Sequence, residues 1–107
     1  MFNYCVLSGR VTTVPTLRFY GKDIPVTEFT LQILMENRRW GTIKVQTLSR
    51  LAMAAAKHLG MGDRVVVAGF ISGGALRHDI CLVASNLEPL RGDSDIESEP
   101  PGEDLLS

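Results

Sequence analysis

The sequence has no long hydrophobic run and only two cysteines. No stretch of about 18 or more apolar residues is present, and the first residues lack the basic start and apolar core of a signal peptide. We therefore expect a soluble, cytoplasmic protein with no membrane partner. Cys5 and Cys81 lie far apart in apolar runs. This placement favours buried free thiols over a disulfide or a metal site.

The sequence also lacks the local signatures of common catalytic centres. It contains no phosphate-binding loop, no Ser/His/Asp arrangement with a recognisable signature, and no ligands at metal-binding spacing. The two histidines, His58 and His78, have no partner motif. We expect neither an enzyme nor a cofactor or metal, and binding becomes the leading class of function.

The sequence also has no overall excess of basic residues, because its 107 residues carry a net charge of −1. The charge is divided unevenly, however. Residues 1–92 carry all 11 Lys and Arg and six acids, a net charge of +5, whereas residues 93–107 carry six acids and no base. This predicts a basic domain, 1–92, that suits a polyanion, and an acidic disordered tail, 93–107, that shields the domain or recruits a partner. Leu105 and Leu106 follow the acids and are candidate docking residues.

Hydrophobic periodicity predicts five strands and one helix. The helix, over 49–60, has Ser49 as its expected N-cap and Gly60 as its expected left-handed end. The first strand is long and interrupted at Val14-Pro15-Thr16, and the others cover about 24–34, 40–47, 64–72 and 79–87. The order predicts an all-β, five-stranded Greek-key barrel of the OB type with the helix between strands 3 and 4, although other small barrels share that order.

The only tryptophan, Trp40, lies on a predicted strand with two unlike faces. Ile43 and Val45 share the apolar face, because successive side chains of a strand point in opposite directions. The other face carries Trp40, Thr42, Lys44 and Gln46, with Arg38 and Arg39 at its start. It is either the binding surface or the outer side of a half-buried strand whose tryptophan covers a neighbour.

Several motifs between residues 3 and 90 resemble those of one known family. They are Asn3-x-x-Val6-Leu7-x-Gly9-Arg10-Val11, then Pro15-x-Leu17-Arg18, and later Gly62-Asp63-x-Val65-x-Val67-x-Gly69. The bacterial single-stranded DNA-binding proteins, including the short relative primosomal replication protein N, are similar at these positions. The resemblance implies an OB barrel that binds single-stranded DNA or RNA in replication, repair or replication restart. It also implies a homodimer or homotetramer assembled through the first strand.

The resemblance further implies which residues bind the nucleic acid. Arg18, Lys44 and Arg50 match basic positions of the family, and Trp40 lies two residues before the family's tryptophan position. The remaining candidates, which extend the basic surface, are Arg10, Arg38, Arg39 and Arg77.

The chain also departs from the family pattern. Leu48 stands where the family has a stacking phenylalanine, and the loop between the last two strands is short and has no aromatic residue. Phe19, Tyr20 and Phe70 can replace the missing aromatics or belong to the core. Glu28 is expected on the polar face, where a carboxylate repels phosphate. The alternative is therefore an OB-fold protein–protein interaction module in a larger complex, with weak or no nucleic-acid binding.

Overall fold

The structure is a computed structural model that describes residues 2–73 and 80–90. Arg77 and the whole acidic tail, with Leu105 and Leu106, lie outside the described residues. Within them, the elements are β1 (Cys5–Val11), β2 (Thr16–Tyr20), β3 (Ile24–Leu34), β4 (Trp40–Leu48), α1 (Ser49–His58), β5 (Arg64–Ser72) and β6 (Cys81–Pro89).

The strands close into a barrel through the pairing of β1 with β3. The order around the sheet is β1-β5-β6-β4-β3, with β4 and β6 parallel and the other neighbours antiparallel. β1 and β2 both run along β3, where Val11 pairs with Leu31 and Thr16 pairs with Glu28. They are therefore two parts of one bent strand. The prediction of a five-stranded OB barrel with one helix is confirmed.

The core is formed by inward-facing residues of the strands and one face of the helix. Inward and outward positions alternate along β4 and β5, as expected for strands, whereas β6 begins with four consecutive buried residues, Cys81 to Ala84. Ala55 of α1 and Leu59, the residue that follows the helix, are buried against this cluster. The largest buried hydrophobic side chains of the strands are Phe29, Leu31, Leu82, Val11, Val45, Val65 and Val67.

The two ends of α1 differ from the sequence-based expectation. Leu48 occupies the N-cap position, and Ser49 adopts a φ of 57° with no side-chain capping bond to the helix. The helix leaves through Leu59 in an extended conformation, and the Gly60 amide donates to the Asp63 carboxylate at 2.8 Å. The expected Ser49 cap and left-handed Gly60 are therefore wrong. In a left-handed cap, the Gly60 amide would donate to a carbonyl of the helix. Here the amide is already satisfied by Asp63, so the left-handed conformation is not needed.

Two close backbone approaches depend on glycine. The register of β5 against β6 shifts between Ala68 and Gly69, and a Cβ on Gly69 would collide with the Val83 carbonyl oxygen. A Cβ on Gly9 would collide with the Gln32 carbonyl oxygen. These glycines let the barrel curve tightly. Residues 2–73 and 80–90 include no helix long and apolar enough to cross a membrane.

Candidate nucleic-acid interface

The outer side of β3 and β4 forms a continuous polar surface, which we call the β3–β4 face. Antiparallel pairing places the outward residues of the two strands opposite each other. Trp40 lies opposite Leu34 at one end and is 54% exposed. Val45 points inward and is fully buried, as the strand pattern predicts. The outward pairs are Leu34 with Trp40, Gln32 with Thr42, Thr30 with Lys44, and Glu28 with Gln46.

Arg38 and Arg39 lie in the turn that leads into Trp40. The Met35 amide donates to the Arg39 carbonyl at 2.8 Å, and the Arg39 amide donates to the Asn37 side chain at 3.0 Å. Arg38 adopts a φ of 67°, the left-handed conformation at the tip of the turn. Both arginines are exposed. The hydrogen-bonded turn therefore places two exposed arginines directly before Trp40 in the chain.

The other end of the β3–β4 face carries a charged cluster around Glu28. Arg18, on β2, donates to one carboxylate oxygen of Glu28 at 2.9 Å, and the Gln46 amide donates to the other at 2.6 Å. Lys44 lies on β4 two residues before Gln46 and about 13 Å along the strand from Trp40. Glu28, which repels phosphate when unpaired, is thus neutralised by Arg18.

A pocket of about 210 Å³ opens beside this cluster. Its wall includes the interruption between β1 and β2, where the Thr13 hydroxyl accepts from the Thr30 amide at 2.9 Å. The polar side chains that line it are Thr13, Thr16, Arg18, Glu28, Thr30 and Lys44.

Phe70 is one of three aromatic side chains whose placement the sequence left open, and it lies on the outer surface. Phe70 pairs with Val83, which pairs in turn with Gln46 of the β3–β4 face, and Phe70 is 44% exposed. The alternation of buried Val65, Val67 and Gly69 was the signal that Phe70 points outward.

Tyr20 and Phe19 end β2 and are both exposed. Tyr20 is on the same side of β2 as Arg18 and pairs with Ile24, whereas Phe19 points to the opposite side and pairs with Pro25. Tyr20 and Phe70 therefore join the candidate site, and Phe19 does not.

The other two basic candidates in the described residues lie at the margins. Arg50 is the second residue of α1, exposed just beyond the end of β4. Arg10 pairs with Gln32, but its guanidinium donates to the Gly62 carbonyl at 3.2 Å, in the connection before β5. The structure thus places Trp40, directly after Arg38 and Arg39, at one end of the face, and Lys44 and Arg18 beside the same pocket toward the other end. Arg10 is directed to a different connection.

Cys81 lies next to Lys44 in the parallel pairing of β4 and β6. Burial, and then the Glu28 carboxylate, raise the pKa of its thiol, and the Lys44 cation opposes them. Burial and the Glu28 carboxylate therefore both favour the neutral thiol. Cys81 and Cys5 are both free.

A larger hollow of about 540 Å³ lies elsewhere, between α1 and the ends of β5 and β6. Its walls are mainly apolar and include Leu51, Leu59 and Leu87, with none of the residues of the β3–β4 face. The described residues include no group of three or more His, Cys, Asp or Glu side chains that could hold a metal ion. The larger hollow is therefore separate from the β3–β4 face.

Comparisons with known proteins agree with the fold. The family model described as the single-strand binding protein family matches residues 2–78. The crystal structure of the SSB domain of a Synechococcus sp. protein superposes with a TM-score of 0.72 at 21% identity, over 82% of this chain and 96% of that chain, which shows a shared fold. No curated protein sequence matches the chain. Because the family model covers most of the chain, this protein belongs to the single-strand binding protein family.

Proposed function

We propose that this protein binds single-stranded nucleic acid, DNA or RNA, through the β3–β4 face and acts in replication, repair or replication restart in the cytoplasm. The observation that carries the proposal is the half-exposed Trp40 beside Arg38 and Arg39, on the same face as Lys44. Sequence-tolerant binding of single strands requires aromatic faces for the bases and cations for the backbone. This face supplies both.

The roles of the individual residues follow from their placement. Trp40, Phe70 and Tyr20 offer stacking surfaces, each worth about 1 to 3 kcal/mol when a base is stacked. Arg38, Arg39, Lys44 and Arg50 contact phosphates, with Arg18 beside them. The described residues carry nine Lys and Arg against five Asp and Glu, a net charge of +4, which favours a polyanion.

A fluorescence-anisotropy titration with labelled oligo-dT tests the proposal. Arg38→Gly combined with Arg39→Ala removes two cations, and glycine accommodates the φ of 67° at position 38. We expect binding to weaken at least tenfold. Lys57→Ala, an exposed cation at the far end of α1, is the matched control and should bind like the unmodified protein. Equal affinities for all three proteins would contradict the proposal.

We further propose that the protein forms a homodimer or homotetramer through β1. Residues Cys5–Arg10 pair with β5 on one edge, and only Arg10 and Val11 pair with β3 on the other. Among the described residues, the edge of Cys5–Gly9 on that second side has no strand partner, and Val6 is exposed on it. An open strand edge pairs readily with a second copy. Light scattering at micromolar concentration should show an assembly, and a monomer would contradict this.

We propose that the acidic segment 93–107 either regulates nucleic-acid binding or binds a partner protein. Six acids close to a basic domain compete with phosphate, and Leu105 and Leu106 would dock replication or repair proteins. Truncation after Gly92 should strengthen oligonucleotide binding if the acids compete for the β3–β4 face. Unchanged binding would leave recruitment as the role to test with partner proteins.

A protein–protein interaction module is the second candidate. Exposed apolar side chains of the β2–β3 hairpin and of the adjoining end of β4 favour it, with Ile24 and Leu48 on one side of the sheet and Phe19 on the other. Exposed apolar side chains suit a protein partner better than a phosphate backbone. This candidate predicts that substitutions in the hairpin abolish capture of a partner and leave oligonucleotide affinity unchanged.

A further inference from the structure

We propose that the pocket beside Glu28 accepts one guanine base, so that binding along the β3–β4 face is selective at one nucleotide. This inference rests on the proposed binding of single strands and adds a base preference to it. The pocket of about 210 Å³ has room for several water molecules, and is smaller than sites for drug-sized ligands, which begin at about 300 Å³. Its size suits a single planar base.

The Glu28 carboxylate is positioned before any ligand arrives. Arg18 donates to one oxygen at 2.9 Å and Gln46 to the other at 2.6 Å. A carboxylate has about four acceptor sites, so each oxygen keeps one further site for a ligand. The side chain of Glu28 is 18% exposed, which leaves it accessible and reduces competition from water.

The hydrogen-bonding groups of the pocket complement the Watson–Crick edge of guanine. That edge presents two neighbouring donors, N1–H and the N2 amino group, next to the acceptor O6. The two donors match the two oxygens of Glu28, and O6 matches the Lys44 ammonium, which lines the same pocket. A bidentate contact of this kind discriminates between bases by about tenfold or more.

The other bases fit this set of groups less well. Thymine offers a single donor, N3–H, between two acceptors. Cytosine and adenine place a ring nitrogen acceptor beside their amino group, so that acceptor would face a carboxylate oxygen. The pocket therefore ranks guanine first and thymine second, whereas stacking on Trp40 does not distinguish bases by their edges.

The experiment compares (dT)12 with the same oligonucleotide carrying one central dG, and with one carrying a central deoxyinosine, by anisotropy with the full chain. We expect the dG oligonucleotide to bind about tenfold more tightly than (dT)12. Inosine lacks the N2 amino group and should recover only part of the gain. Glu28→Gln should abolish the dG preference, because a glutamine amide replaces one acceptor by a donor.

Asp23→Asn is the matched control, since it also removes one carboxylate charge but lies in the β2–β3 turn, outside the pocket. It should keep the dG preference. Equal affinity for dG and dT oligonucleotides, or a dG preference that survives Glu28→Gln in a protein whose thermal unfolding is unchanged, would overturn the guanine pocket and leave the proposed function standing. Failure of every oligonucleotide to bind would instead overturn both.

Discussion

The guanidinium of Arg18 lies 2.9 Å from the carboxylate of Glu28, across the neighbouring strands β2 and β3. An exposed pair of this kind contributes at most about 1 kcal/mol to the free energy of unfolding. The pair matters more for the surface potential, because Glu28 lies on the β3–β4 face beside Lys44. While Arg18 is present, a nucleic-acid backbone on that face meets a neutral pair beside Lys44.

Arg18→Ala should therefore weaken oligo-dT binding by more than the loss of one cation, since it exposes the charge of Glu28. We expect about a tenfold loss by anisotropy at low salt. The double variant Arg18→Ala with Glu28→Gln should recover part of that loss. Lys22→Ala, an exposed cation in the β2–β3 turn, is the control and should change affinity less than threefold, on the order of one screened charge. If the double variant binds oligo-dT no more tightly than Arg18→Ala does, then Glu28 does not oppose binding.

Gly69→Ala should strongly destabilise the barrel, because its Cβ would collide with the backbone carbonyl oxygen of Val83 at the β5–β6 register shift. We expect a loss of at least about 2 kcal/mol in the free energy of unfolding, measured by urea denaturation. Gly73→Ala is the matched control, since nothing lies within 4 Å of a Cβ there. Equal stabilities of the two variants would contradict the close packing of β5 against β6.

Ser49→Gly should stabilise the protein. Ser49 adopts a φ of 57° and gains no capping bond in return, and a left-handed conformation costs a non-glycine residue about 1 kcal/mol. We expect a comparable gain in the free energy of unfolding, reduced by the greater flexibility of glycine in the unfolded chain. Ser49→Ala keeps the unfavourable conformation and should give no gain. A destabilised glycine variant would count against the strained junction of β4 and α1.

The Cys81 thiol should react slowly with iodoacetamide in the folded protein, because burial and the Glu28 carboxylate raise its pKa above the ordinary value of 9.0. The folded state then holds this proton more tightly than the unfolded state. The corresponding stabilisation is complete below pH 9.0 and is lost as the pH rises through the higher folded pKa. In a Cys5→Ser background, the rate of Cys81 alkylation measured by mass spectrometry should be lower for the folded protein than for the protein unfolded in urea. Equal rates would refute the shielding of Cys81.

The sequence predicted the barrel well because its signals are local. The alternation along β3 and β4, the alanine-rich helix and the apolar run of β5 each specify an element, and the family motifs specify their arrangement. It also predicted which side of β4 carries Trp40 and Lys44, since that depends only on the period of a strand. These are properties of single segments.

Long-range relationships could not be predicted in the same way. The pairing of Arg18 with Glu28 depends on the register of β2 against β3, and the direction of the Arg10 guanidinium depends on where the Gly62 connection passes. The outward placement of Phe70 could have been predicted, because Phe70 is out of phase with the inward-facing Val65 and Val67 on the same strand. The C-terminal cap of α1 was mispredicted because the Gly60 amide donates to the Asp63 carboxylate, which follows the helix, instead of to a helix carbonyl.

The central claim is that Trp40 and the cations around it bind single strands, and one titration tests it most directly. Trp40 fluorescence is followed as oligo-dT is added at about 50 mM and about 200 mM salt. With four phosphate contacts, affinity should fall about 50-fold between the two salt concentrations, with clear quenching at the lower one. Trp40→Ala should lower the affinity about tenfold in a parallel anisotropy titration. Unchanged emission of Trp40 and no binding at low salt would contradict the account.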